Sequence, residues 1–309
     1  MSNEQLRRIA IALAALLVLW LLLLGVRRVA RQEGPTLPRP SVDAGAVDRI
    51  TIERPTDTIR LAKGATGWTV NGYGASGERV GEFFAAVNDS AATSELVAES
   101  ASTHQQLGVD SANARRLEIA TGDREVLTYL VGKRGASFES AYIRRPDRNN
   151  VYQVRGRLVE MIERSVADWR DKAILHLEPD SLGRIEIERG PRRYALARSD
   201  SGWRFVDGSP TDSTRIATLL DQFRRFEASS FPSDADAAAA SFDPADRVVR
   251  LFGRGDILLA SLRLDSTAAG FLVRRDTMAT IYQVPAWVAD QLSPADSTLR
   301  AAGPPASAR

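Results

Sequence analysis

The chain has 309 residues, 44% hydrophobic and 26% charged, with 22 Gly and 14 Pro, a balance that excludes disordered, collagen-like and polytopic membrane classes. Cysteine is absent and only two histidines occur, which removes disulfides, thiolate metal sites and cysteine nucleophiles and leaves His104 and His176 as the only imidazoles. The net charge of +2 is local: residues 1–31 hold five arginines against Glu4, and the remainder carries a slight acidic excess, so no basic face for a phosphate backbone and no nucleic-acid partner are expected.

In chain order, residues 1–8 read as a short tail and residues 9–26 as an uncharged apolar run. At 1.5 Å per residue that run covers about 27 Å, close to a bilayer core of roughly 30 Å, and predicts a single transmembrane helix. It exceeds the h-region of a signal peptide, and Arg28 stands where a small residue would be needed for cleavage before Ala30, so an uncleaved anchor is expected. Charge leaves the orientation open, because Arg7 and Arg8 flank one end and Arg27, Arg28 and Arg31 the other. Residues 27–46, with Pro35, Pro38, Pro40, Gly34 and Gly45, predict an extended stalk that holds the body off the bilayer.

The body carries an internal duplication. Ile50-Thr51-Ile52-Glu53-Arg54 recurs as Ile185-Glu186-Ile187-Glu188-Arg189, and Gly67-Trp68 as Gly202-Trp203. Val80, Phe83, Phe84 and Val87 return as Ile216, Leu219, Leu220 and Phe223; Arg144-Arg145 and Tyr152-Gln153-Val154 return as Arg274-Arg275 and Tyr282-Gln283-Val284. Each copy opens with period-two segments parted by polar turns, which predict short antiparallel strands. An apolar i, i+3, i+4, i+7 stripe follows, with Ser76 and Asp212 or Ser213 as N-caps, and predicts one amphipathic helix per copy. The expected fold class is α+β: two tandem copies of a mainly antiparallel strand-rich unit, at 47–156 and 181–292, preceded by one transmembrane helix. Residues 157–180 are expected to form a connecting helix around Leu158, Met161, Ile162 and Val166, and residues 293–309 a flexible tail.

Candidate chemistry is sparse. Gly72-Tyr73-Gly74-Ala75-Ser76-Gly77 is a literal G-x-G-x-x-G, with Glu95 or Glu99 near the spacing of a ribose-binding acid. The second copy reads Asp207-Gly208-Ser209-Pro210-Thr211-Asp212 at that place, which keeps a turn and a cap but loses the glycines, so a turn is expected and no cofactor. His104 reads as a surface residue, and His176 as a structural residue bonded locally rather than a base. Asp234, Asp236, Asp243 and Asp246 lack calcium-loop spacing and read as caps and turns, so no metal is expected. Trp68 and Trp203 read as closing sheet-and-helix cores rather than stacking on ligands. The two Arg-Arg pairs read as solvent-facing strand edges. No catalytic residue stands out, and no G-x-S-x-G, P-loop or H-E-x-x-H occurs.

The apolar N-terminal run, the I-x-I-E-R strand, the Gly-Trp pair, the Val80 to Val87 helix, Leu107-Gly108-Val109-Asp110, and the run from Asp168-Trp169-Arg170 to Ile174-Leu175 resemble the bacterial membrane-anchored domain-of-unknown-function family 4340. The resemblance implies a single-pass protein of the inner (cytoplasmic) membrane with a periplasmic body, a companion of ABC-type transport systems related to gliding-motility components. It supplies no functional residue. The expected function is therefore a non-enzymatic accessory or interaction module of an ABC-type transport or envelope assembly, with a protein partner. The alternative is an extracytoplasmic small-ligand or polymer-binding protein, or a hydrolase with a cleft between the repeats.

Overall fold

The computed structural model describes residues 36–276 and 278–301. The expected span at 9–26 lies outside them, and among the described residues no helix is long and apolar enough to cross a membrane. The chain divides into two compact units, Met1–Val166 and Ala167–Arg309. Both are α+β, dominated by antiparallel sheet.

In the first unit, β1 (Arg49–Glu53), β2 (Thr58–Gly64), β3 (Gly67–Val70) and β4 (Tyr73–Gly74) form successive hairpins. Alternation carries them: Ile50, Ile52, Ile59 and Leu61 are fully buried while Glu53, Arg60 and Lys63 face water. Helix α1 (Gly77–Val87) buries Val80, Phe83, Phe84, Ala86 and Val87. Then come β5 (Thr93–Ala98), the short helix α2 (His104–Leu107), β6 (Arg115–Thr121), β7 (Arg124–Arg134), β8 (Ser140–Arg144), β9 (Val151–Arg155) and α3 (Leu158–Glu163). The nine-stranded sheet runs β4-β3-β2-β1-β6-β7-β8-β9-β5. Residues 99–114 cover its reverse face: the buried Arg144 donates from Nε to Val109 O at 2.8 Å, and a side chain at Gly132 would strike Leu107 O.

The stalk reading needs correction over its described part. Leu37 and Val42 are buried, Asn88 brackets Val42 through Val42 N–H to Oδ1 at 3.0 Å and Nδ2 to Val42 O at 2.8 Å, and Arg39 donates to Ala92 O. Residues 36–46 are thus a strap on the first unit. Tyr129 donates its hydroxyl to Pro38 O at 2.9 Å, and burial pushes its phenol up to about 12. The folded pKa lies above the unfolded value, so the stability it adds is whole below pH 10 and is lost as pH rises from about 10 to 12, roughly 2–3 kcal/mol in all. Urea midpoints measured across that window should fall more steeply for the native chain than for Tyr129→Phe.

The expected connecting helix at 157–180 is not continuous. Helix α3 ends where Arg164 turns extended, at φ −58° and ψ 142°; α4 (Val166–Trp169) is a separate turn, and β10 (Ala173–Leu175) follows.

The second unit continues with β11 (Leu182–Arg189), β12 (Arg192–Ser199), β13 (Gly202–Phe205), α5 (Ser213–Arg224), β14 (Phe226–Glu227), α6 (Asp234–Ala239), β15 (Arg247–Gly253), β16 (Leu258–Thr267), β17 (Gly270–Arg275), β18 (Ile281–Val284), α7 (Ala286–Leu292) and α8 (Asp296–Leu299). Its seven-stranded sheet runs β13-β12-β11-β15-β16-β17-β18. Ile216, Leu219 and Phe223 of α5 join Ile185, Ile187, Leu196, Val249 and Leu262 in one buried core. The described part of the expected flexible tail is packed: Leu299 is buried, and Asp212 N–H donates to its carbonyl at 2.9 Å.

Candidate functional site

The residues that the sequence marks for chemistry are held by structure. Asn71 and Gly72 have φ of 47° and 88° and join Val70 to its partner Tyr73, the positive-φ pair of a two-residue hairpin. Ser76 Oγ caps α1 by accepting from Arg79 N–H, and a Cβ on Gly74 or Gly77 would meet open space. The G-x-G-x-x-G is thus a hairpin turn and a helix cap, and no element of it demands close backbone approach. Gly77→Ala should leave urea stability unchanged or raise it by up to about 1 kcal/mol.

Both histidine readings change. His104 is buried, with its Nε2 2.9 Å from Asn149 O, whereas His176 is exposed between buried Leu175 and half-buried Leu177. His176 lies just past the end of β10, where both Ile174 and Leu175 are buried. Nor are the Arg-Arg pairs strand edges, because β8 lies between β7 and β9, and β17 between β16 and β18. Arg144 is buried and spans the 145–148 turn through Arg145 O, Pro146 O and Arg148 O. Arg274 stacks on Phe242 at 4.6 Å.

Trp68 is half-buried with its ring 6.0 Å from Phe84, and Trp203 packs against the second core. Asp234 and Asp236 sit in the first turn of α6, where Ser233 is the N-cap. The hydrogen bonds of Ser266 hold the Asp246 carboxyl below its ordinary range. Among the described residues, no group of three or more His, Asp or Glu is placed to hold a metal.

A site that no motif announced lies in the first unit. The loop from Gly135 to Glu139 carries Phe138, which is 78% exposed, and fixes it by backbone bonds Gly135 N–H to Ser140 O, Ser140 N–H to Ser137 O and Gly156 N–H to Glu139 O. Arg134 stacks 3.9 Å from the Phe138 ring and donates to its carbonyl at 2.6 Å. Glu163 holds that guanidinium from behind, and also accepts from Arg115 at 2.7 Å.

Beside Phe138 opens a pocket of about 560 Å³ with Ala91, Ala92 and Gly156 among its lining and Arg155, Arg157, Glu139 and Glu160 at its charged margin. Arg155 and Glu139 pair at 3.3 Å, both largely exposed. Small lining residues, an exposed aromatic stacked on a guanidinium, and further guanidinium donors suit an apolar side chain with a carboxylate or carbonyl beside it. Only a Gly-Ala-Ser stretch before an aromatic marks the loop in the sequence, and turns of that composition are common.

Residues 70–245 match the family described as Domain of unknown function (DUF4340). The chain belongs to this family. Within DUF4340 the matched stretch runs from the last residue of β3 across α1, the Phe138 pocket and α5, and stops ahead of β15. No curated protein and no solved structure matches the chain.

Proposed function

We propose that this DUF4340 member is a single-pass envelope protein of the inner membrane, with a periplasmic body made of two copies of one unit, acting as a non-enzymatic interaction module of an ABC-type transport or envelope assembly. The observation that carries the interaction reading is Phe138: a large aromatic, 78% exposed, carried on a hydrogen-bonded loop and stacked on a guanidinium. Ordering such a side chain before association lowers the entropy cost of binding, which is how interface hot spots gain their effect.

Several observations support the copied unit. Each sheet grows outward from its first strand through a hairpin series on one side and through the later strands on the other. In each, the last strand pairs through a matching glutamine: Gln153 with Glu95, Gln283 with Ser230. The arginine of I-x-I-E-R does one job twice. Arg54 donates to Glu163 O and Arg164 O behind α3, and Arg189 donates to Ser293 O behind α7, satisfying carbonyls that a helix end leaves open. A second arginine reinforces each end, Arg115 on Glu163 and Arg247 on Asp290 and Ser293.

The strap bears on the anchored reading. Only nine residues part position 26 from Thr36, a length that reaches about 30 Å when fully extended. The first unit of an anchored chain would therefore stay near the bilayer.

A photocrosslinking residue at Phe138 in cells, compared with one at exposed Thr66, tests this. A discrete adduct with a membrane component of an ABC-type system from position 138 alone is expected. No adduct, or the same adducts from both positions, would overturn the interaction reading. A reporter active only in the periplasm, fused after residue 301, should be active.

A further inference from the structure

The most exposed pair of neighbouring large apolar side chains in the described structure is Ile257, at 66%, and Leu258, at 53%. They stand at the turn between β15 and β16 in the second unit. The turn is stiff: Gly255 and Asp256 take φ of 72° and 59°, and Gly253 N–H donates to Ile257 O at 2.8 Å. Arg184 fixes it from the side, with Nε 2.9 Å from Asp256 Oδ1 and its guanidinium 4.1 Å from the Phe252 ring. Arg184 also pairs with Glu186, so Asp256 and Arg184 are both engaged. Arg254, exposed in the same turn, has no carboxylate within ion-pair distance among the described residues.

The fold does not require this tip to be apolar. The hairpin between β6 and β7 in the first unit turns at Gly122 and Asp123, both exposed, with no aliphatic residue at its apex.

We propose that the β15–β16 tip enters the headgroup layer of the same bilayer in which the chain is anchored, with Ile257 and Leu258 in the acyl boundary and Arg254 against anionic headgroups. This rests on the membrane-anchored reading. Apolar side chains beside a cation are the chemistry of interfacial attachment, and the apolar surface leaves water while the charge remains at the headgroups. Two side chains bind a distant membrane poorly. A tether changes that, because the nine residues between the apolar run and Thr36 limit how far the first unit, and the second unit joined to it in the same chain, can wander and so raise the effective concentration of the surface.

The absence of cysteine makes the test direct. Full-length Leu258→Cys, Ile257→Cys and Asp123→Cys variants are labelled with an environment-sensitive fluorophore and reconstituted into vesicles containing anionic lipid, with and without nitroxide-bearing lipid. Labels at 257 and 258 should emit to the blue and be quenched by the lipid nitroxide about threefold or more beyond the label at 123, as interfacial depth requires.

Equal, weak quenching at all three positions overturns the proposal. So does shielding of 257 and 258 from an aqueous quencher without nitroxide quenching, which would mark a protein on the tip. Alkaline carbonate treatment of the same vesicles separates the two readings. A chain that stays in the membrane with an unquenched tip removes the tip proposal alone, whereas a chain that is extracted removes the anchor and the tip proposal together.

Discussion

Arg144→Leu is expected to destabilise the first unit by about 3–5 kcal/mol, because a buried charged donor serving several backbone acceptors is lost. Its side chain donates to Val109 O at 2.8 Å, Arg145 O at 3.1 Å, Pro146 O at 3.3 Å and Arg148 O at 3.2 Å. Leucine matches much of the apolar stem but leaves these carbonyls to find water, and the one at Val109 belongs to a residue with no exposure at all. Residues 99–114 would lose their buried tie to the sheet and keep the exposed one from Lys133 Nζ to Gln106 O at 2.9 Å. The effect should appear as a fall in urea midpoint and as faster amide exchange in residues 104–110.

Arg274, which the sequence pairs with Arg144, stacks on Phe242 and shows no side-chain hydrogen bond among the described residues, so Arg274→Leu should cost about 1 kcal/mol. Equal costs for the two variants would show that backbone satisfaction is not what Arg144 supplies.

The Arg144 case shows why part of this protein is legible in sequence and part is not. Period-two alternation in residues 49–53 and 185–189 and the Val80 to Val87 stripe each report burial within one element, and each predicts the element found. The misread residues are those whose partners lie far along the chain. Leu37 and Val42 are isolated apolar residues among prolines, and Asn88 and Ser94 take their backbone groups from about fifty residues away. His104 sits in a polar run, and its acceptor is the carbonyl of Asn149.

Arginines mislead most, since no carboxylate motif announces a guanidinium that is satisfied by carbonyl oxygens. The Phe138 pocket was hidden for a related reason. It is made where the β7–β8 loop, the start of β5 and the end of β9 converge, and none of those three segments carries a distinctive pattern alone.

Phe223→Ala should cost about 3–5 kcal/mol, the range for removing a fully buried phenylalanine that neighbours cannot replace. Phe223 has no exposed surface and shares the second core with Ile216, Leu219, Ile185 and Leu251. Its backbone is also fixed, since Leu177 N–H donates to Phe223 O at 3.0 Å, so α5 cannot easily shift to close the cavity. Leu220, the i+4 member of the same stripe, is only half-buried against this core, and Leu220→Ala should cost about 1–2 kcal/mol in proportion to the apolar area it hides.

Because domains carry only about 5–15 kcal/mol of stability, Phe223→Ala can leave much of the second unit unfolded. Phe223→Leu, which keeps most of the volume, should lose about 1.5 kcal/mol or less and give a resolvable transition. The order Phe223→Ala, Leu220→Ala, Phe223→Leu in falling cost is what a helix packed by one apolar stripe requires. If Leu220→Ala cost as much as Phe223→Ala, the half-buried i+4 position would dock α5 as firmly as the buried Ile216, Leu219 and Phe223 do, and α5 would be held by a broader face than its burial describes.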